Sequence, residues 1–563
     1  MKNGLKLAAL LLALALLAGF ALAEDISLPD GAVEVGALDG IDAPALDIGE
    51  ASLVSEEPAA AVEDNASAVA IDKANFPAKA LRDYVKANFD ADGDGKLSEA
   101  ECEAVEQIHL RTYDDYEKGI NPVDCPTMKG IEYFPNLIDL ECFGCSVSEL
   151  DVRRNTNLEY LRIGDNKLTK LDLSQNPRLM GLHCDANQLT KLDLSRNTEL
   201  RELYCPENQL KKLDVSGLKK LEELVCHRNQ LTALDVGNNA RLWCLMCFEN
   251  KIKALDVSKN TKLRELQCGD NRLKALDVSQ CTKLETLYCY ENSLTKLDAS
   301  KCTKLKELYC SENSLTKLDV SLCANLTLLE CFANQLKALD VSKNPKLTIL
   351  YAFDNKLTSL DVGNCAKLKE LVVCRNQLKT LDVSKNRSLE ELTVFENQLK
   401  TLDVSKNRSL KVLYVFKNRL SGLDVRKNTA LKELACYDNP LKTLDVSKNT
   451  RLEHLDCMNT QLKTLDVSKN TQLMYLYCPD NKLKTLDVSR NKKLEELVIH
   501  GNAITEIDIA KCPKLQAALN LKKKATRTTV GWGTDEVYGF YARLSIDKAT
   551  RILAGSKVLY PQK

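Results

Sequence analysis

The sequence predicts a curved solenoid of short parallel strands stacked coil on coil, an α/β-type repeat with few helices inside the repeats. Three observations carry this. A 21-residue unit recurs eighteen times between Leu137 and Lys514, with no insertion or deletion. Each unit opens on six residues that alternate apolar and polar, the pattern of a half-buried strand. Each then reaches an Asn, where the chain can turn, and closes on a second short alternation, Leu-Asp-Val-Ser. One copy reads Leu158-x-x-Leu161-x-Ile163-x-x-Asn166-x-Leu168-x-x-Leu171-Asp172-Leu173-Ser174-x-Asn176. Positions are counted below from the first Leu of each copy.

A single unit cannot bury its own apolar face, so neighbours must stack to build a continuous core. The ninth-position Asn side chains then form a column beside backbone groups that the turn exposes, and can bond them. At about 4.8 Å between strands, eighteen coils give an arc of roughly 85 Å.

The unit resembles the leucine-rich-repeat family. The core Leu-x-x-Leu-x-Leu-x-x-Asn-x-Leu stands here as Leu179, Leu182, Cys184, Asn187 and Leu189, and the Leu-Asp-Val-Ser-x-Asn half is similar to the 21-residue bacterial class. The resemblance covers about two thirds of the chain. It implies a solenoid that binds partners, usually proteins, on its concave strand face.

Outside the array the composition shifts. Residues 1–23 read as a secretory signal peptide: Lys2 and Lys6, an apolar run from Leu7 to Phe20, then Ala21-Leu22-Ala23. Residues 24–72 hold thirteen Asp or Glu, no Lys or Arg and no aromatic residue, and read as a disordered acidic linker. Residues 73–136 form an N-terminal cap. In it Leu81, Tyr84, Val85 and Phe89 share one helix face, and a second helix is expected to run to about Ile108. The solenoid spans 137–520, eighteen repeats and a partial one from Leu515. Residues 521–563 form a C-terminal cap or tail, with a lysine cluster (Lys522, Lys523, Lys524) before an aromatic, strand-prone stretch.

Between the cap helices, Asp90-Ala-Asp92-Gly-Asp94-Gly95-Lys96-Leu97-Ser98-Glu99-Ala100-Glu101 matches the EF-hand loop pattern. Asp90, Asp92 and Asp94 supply carboxylates, Lys96 its backbone carbonyl and Glu101 a bidentate carboxylate. Ser98 can hold a water, and Gly95 allows the sharp turn. Clustered carboxylates repel one another without a cation, so the loop is expected to hold a structural calcium ion that fixes the cap on the first coil.

The chain has twenty-two cysteines. Twelve occupy the sixth position, where other copies carry Ile163, Ala352 or Val373, so they read as small buried hydrophobes rather than a disulfide framework. Cys281, Cys302, Cys323, Cys365 and Cys512 replace the second Asn of the unit. Cys102 and Cys125 are the candidates for a bridge in the cap. Cys142-x-x-Cys145 and Cys244-x-x-Cys247 lack the second pair that a zinc site needs.

Residues flanking the buried strand positions point to the strand face. Tyr288, Tyr309, Tyr351 and Tyr414 stand at the fifth position, and Tyr290, Phe332, Phe353, Phe395 and Phe416 at the seventh, beside a third position rich in Glu. Exposed, these rings form a recognition surface; stacked along their columns, they stabilise the coils. The Asp present at one position of all eighteen copies (Asp151 through Asp508) is expected to cap local amides.

No catalytic constellation stands out. His109, His183, His227, His454 and His500 lie on distant coils, and neither a Ser–His–Asp arrangement, a His-Glu-x-x-His nor a Gly-rich phosphate loop occurs. A formal charge of −1 gives no drive toward nucleic acid. After the leader no apolar stretch is long enough to span a bilayer. The expected function is binding or adhesion at the cell surface or outside the cell, with a protein partner. A carbohydrate ligand, or a structural spacer without a ligand, is the alternative.

Overall fold

The computed structural model describes residues 68–521, 544–547, 550–555 and 557–560. The leader, residues 24–67 of the acidic linker, the lysine cluster and most of the aromatic stretch lie outside the described residues. Eighteen short strands, one per repeat from Asp139–Cys142 to Glu496–Val498, pair in parallel with each residue opposite its equivalent 21 positions on, as Leu308 faces Leu329 and Leu350 faces Leu371. The first and fourth positions are fully buried in coil after coil, as are the sixth-position Cys, Ile and Val residues. Between coils the second alternation pairs locally, at Leu297–Asp298 with Leu318–Asp319, with a single bridge from Asp277 to Asp298. Among the described residues no helix interrupts the array, and none is long and apolar enough to cross a membrane.

Both Asn columns are buried, and they work differently. A ninth-position Asn such as Asn313 donates from Nδ2 to the carbonyls of Cys289, Cys310 and Ser311, while its Oδ1 accepts the Leu294 amide. One side chain thus satisfies four backbone groups on two coils. The second Asn, such as Asn386, donates to Val362 O and Cys365 O, and its Oδ1 has no partner. Only the donor half of the side chain is used there, and Leu218 stands in the same column with neither half. That explains the interchange with cysteine: Cys281 Sγ lies 3.7 Å from Val257 O, the carbonyl equivalent to the one Asn386 bonds. All twenty-two cysteines are buried and free, Cys102 and Cys125 included, so the bridge considered between those two is absent.

The eighth residue of every coil takes the left-handed conformation, with φ of 44–53° from Asp165 to Asp480 and glycine only in the end copies, Gly144 and Gly501. Its amide bonds a carbonyl of the next coil, as Glu312 N does Phe332 O at 3.0 Å. Inter-coil pairing therefore holds Asp, Glu, Arg, Lys and Ala in a region they rarely adopt. Gly144 is a glycine for another reason: a Cβ there would lie 2.2 Å from Arg111 Nη1.

Three expectations for the ends are corrected. Val69–Ala70, expected to lie in the disordered linker, forms a strand that pairs antiparallel with Lys96–Leu97. The second cap helix, expected to reach Ile108, stops at Glu103; Gln107–Arg111 is a strand that extends the ladder beside Asp139–Cys142. Burial of Ile108 against the first coil outweighs helix continuation. The partial nineteenth repeat is a helix, Pro513–Leu521, with Gln516 Nε2 bonding Ile509 O and Ala510 O. Beyond it, Leu544–Ser545 pairs with Leu497 and Val498, and Arg551–Ala554 pairs with Glu506–Asp508.

Arg111 ties the cap to the array. It is buried, and its guanidinium donates to Phe143 O, Gly144 O and Ile120 O. The sequence reading passed it over, although a lone Arg closing an apolar-polar alternation was the available clue.

Candidate functional site

Strand geometry places the third and fifth side chains of each coil on one face, with the seventh and eighth at its edge. The exposure expected for the aromatic rows is not found. Tyr309, Tyr351, Phe353, Phe395, Tyr414 and Phe416 are buried, and Tyr288, Tyr290 and Phe332 are half-buried. The rings cover one another: Tyr288 stacks on Tyr309 with centroids 4.1 Å apart, Phe332 on Phe353 at 4.3 Å, and Phe395 on Phe416 at 4.1 Å. At a coil spacing of about 4.8 Å, parallel register puts like rings at stacking distance.

The Tyr and Glu columns also lock together. Tyr204, Tyr351, Tyr414 and Tyr477 each donate to the Glu nineteen residues on: Glu223, Glu370, Glu433 and Glu496. Burial and these carboxylates push the Tyr204, Tyr351, Tyr414 and Tyr477 hydroxyls far above their ordinary range. The ladder breaks after Tyr309, because the residue nineteen on is Leu328. Glu330 then takes the fifth position, between Tyr309 and Tyr351. Burial and the nearby Glu307 push its carboxyl up to about 7. Along the eighth position, Glu291 is pushed up to about 7 by burial and by Glu312, Asp270 and Glu249. The basic residues of this column are already engaged: Arg228 bonds Glu207 and Glu249, while Arg375 pairs with Asp354 and Glu396.

The repeated Asp does cap local amides. In every copy its Oδ1 accepts the amide two residues on, as Asp340 does from Ser342 at 2.8 Å. Asp340, Asp382 and Asp403 lie in the open and are held below the usual range, chiefly by the Ser two residues on; Arg153 and Arg426 take Asp151 and Asp424 to about 2.

In the cap loop, carboxylate oxygens of Asp90, Asp92 and Asp94 lie within 4.8 Å of one another. Asp90 Oδ1 is buried without a hydrogen-bond partner. Gly93 and Gly95 adopt φ of 74° and 82°, which folds the loop around this cluster. Glu101 reaches back into the loop: one oxygen accepts the Ala91 amide at 2.7 Å, the other accepts Ser98 N and Oγ at 2.8 Å. The same contacts form the capping box of the helix Glu99–Glu103. Lys96 sits on the strand paired to Val69–Ala70. The three aspartates thus lie together, with Glu101 bonded to the loop backbone.

A family model for leucine-rich repeats, described as two copies, matches residues 282–323. No curated protein sequence matches. Among solved structures, the chain is similar to the functional domain of InlJ from Listeria monocytogenes, described as including a cysteine ladder, at 29% identity over 80% of this chain and 79% of that one, with a TM-score of 0.43. It is similar to YopM from Yersinia enterocolitica at 22% identity over 75% and 90%, with a TM-score of 0.54. It is also similar to the Arabidopsis receptor kinase HAESA ectodomain, solved with a peptide hormone ligand, at 20% identity over 67% and 72%, with a TM-score of 0.57. The latter two establish the fold as a leucine-rich-repeat solenoid.

Proposed function

We propose that this is a secreted or cell-surface binding or adhesion protein that recognises a protein partner through the concave strand face, with a structural calcium ion in its N-terminal cap. The observation that carries this is one uninterrupted strand face of eighteen coils in a single register, with no inserted loop to house chemistry. Solenoids of this fold are typically non-enzymatic binding scaffolds, and the HAESA ectodomain holds its peptide hormone as a ligand.

Burial changes which side chains can serve. The buried rings act as a rigid floor, and contact falls to the half-exposed Tyr288 and Tyr290 and to the carboxylates beside them. The test is capture from cell-surface protein extracts by the full chain. Tyr288→Ala with Glu265→Ala is expected to lose bound proteins, and Lys343→Ala with Lys385→Ala, at exposed sites outside the strands, to keep them. Identical capture profiles for the two variants would sink the reading. Retention on glycan alone would move it to carbohydrate, and no retention at all would leave a spacer.

Asp90, Asp92, Asp94, the Lys96 carbonyl and Glu101 are the residues to hold calcium. The unpartnered, buried Asp90 Oδ1 fits that donor set. The ion would supply the positive charge that the aspartate cluster lacks. Calorimetry on the full chain is expected to show one calcium taken up, with the uptake abolished in Glu101→Gln. Equal uptake by that variant would remove the loop as the site.

A further inference from the structure

Six consecutive coils, from Cys244 to Asp354, carry no Lys, Arg or His at the third, fifth, seventh or eighth position. The two acids at the ends of this stretch, Glu249 and Asp354, are engaged by Arg228 and Arg375. Between them stand Glu265, Asp270, Glu291, Glu307, Glu312 and Glu330. The molecule as a whole is nearly neutral, so its positive charge has been segregated from this surface.

Glu330 is the second, independent observation. It is 6% exposed, and neither carboxylate oxygen has a hydrogen-bond or ion-pair partner. Drawing a carboxylate most of the way out of water without a protein partner is costly, and the solvent contact its oxygens keep is through the strand face. Gln267, equally buried in the same column, has Glu265 as its partner. Glu330 stands between Tyr309 and Tyr351, where the Tyr–Glu ladder fails, so the cost is not offset within the chain. It opens onto the same face as the acids above, flanked by the rings of Tyr309 and Tyr351.

We propose that the strand face between Glu249 and Asp354 is a docking track for a lysine- or arginine-rich segment of the partner protein, with one cationic side chain seated on Glu330. This rests on the reading of the face as a protein-binding surface and names the chemistry of its partner. An extended polycation fits better than a single metal ion: the only candidate ligands among the described residues that converge as three or more are Asp90, Asp92 and Asp94. The face carboxylates instead recur coil by coil, about 4.8 Å apart, over roughly 25 Å. An ammonium or guanidinium group at Glu330 gains a charge-assisted hydrogen bond beside aromatic walls. The same negative field repels nucleic acid.

The probe is a hexalysine peptide, titrated calorimetrically into the full chain at low and at physiological salt. Wild type is expected to bind. Glu330→Gln, which keeps shape and removes charge, is expected to weaken binding at least tenfold, and Glu265→Gln with Glu291→Gln to weaken it further. Glu453→Gln, whose carboxylate pairs with Lys432, is expected to bind like wild type. Unfolding curves of the variants confirm that each is folded. Absence of binding to wild type overturns the inference, as does equal binding by Glu330→Gln. If the protein ignores hexalysine yet still captures partners through the strand face, this inference falls and the broader reading stands.

Discussion

Asn397→Cys is expected to destabilise the solenoid by about 3–5 kcal/mol, whereas Asn386→Cys is expected to cost less than about 1 kcal/mol. Both asparagines are buried, and sequence alone treats them alike. Asn397 donates to Val373 O, Val394 O and Phe395 O and accepts from Leu378 N, joining two coils through one side chain. A thiol can replace one weak donor and cannot replace the acceptor, so the Leu378 amide and at least one carbonyl are left buried and unpaired. Asn386 only donates, and a thiol at its column has several precedents in this chain. The two natural exceptions in the ninth column obey the same rule. Cys145 stands in the first copy, where no preceding repeat presents an amide to be accepted. Thr460 follows a coil in which Leu441 N bonds Asn439 O instead. Chemical denaturation of the two variants measures the difference, and hydrogen exchange at the Leu378 amide localises it. Equal costs would show that the acceptor half of the ninth-position Asn contributes little.

The same comparison shows what is legible in a repeat sequence. The strands and the core are, because an apolar period repeated without a gap admits only one register. Conformation set by a neighbouring coil is not. Glu291, Arg375 and Ala333 carry no local preference for the left-handed region, yet all three adopt it because the next coil presents a carbonyl there. Which of the two readings of the aromatic columns holds, exposed or stacked, is decided by a related effect. A ring such as Phe395 looks outward from its own strand and is buried only by Phe416 one coil on. The nineteen-residue offset between Tyr351 and Glu370 was present in the sequence and would have revealed the ladder. In the cap, the loop motif was readable residue by residue, but Glu101 bonding Ala91 depends on how the loop closes. The strand Gln107–Arg111 carries an alternating pattern too short to outweigh continuation of the preceding helix, and its pairing with Asp139–Cys142 decides the matter.

Glu330→Gln is expected to stabilise the protein by about 1–3 kcal/mol at pH 8 and to leave its stability nearly unchanged at pH 4. The group titrates near 4.5 when unfolded and near 7 when folded, raised by burial and by Glu307. The folded state therefore binds the proton more tightly than the unfolded chain. Sign follows from that: the contribution is intact below about pH 4.5 and is lost as pH rises through 7. The full difference in proton affinity corresponds to about 3 kcal/mol, and burying a neutral amide without an assured partner takes back part of it. Glu291 and Asp456, both pushed up to about 7, act in the same direction in wild type. Capping aspartates such as Asp340 and Asp382 act in the opposite one and only at lower pH, since theirs are held below the ordinary carboxylate value. Wild type should thus be most stable between about pH 4 and pH 4.5, between the two sets. Thermal unfolding of both proteins from pH 4 to pH 9 reads the difference directly, with the aspartates cancelling. A constant gap between the curves would mean that Glu330 is already ionised and solvated in the folded protein. A gap that opens between pH 5 and pH 8 and narrows again when hexalysine is added would tie the stored repulsion to the cation that relieves it.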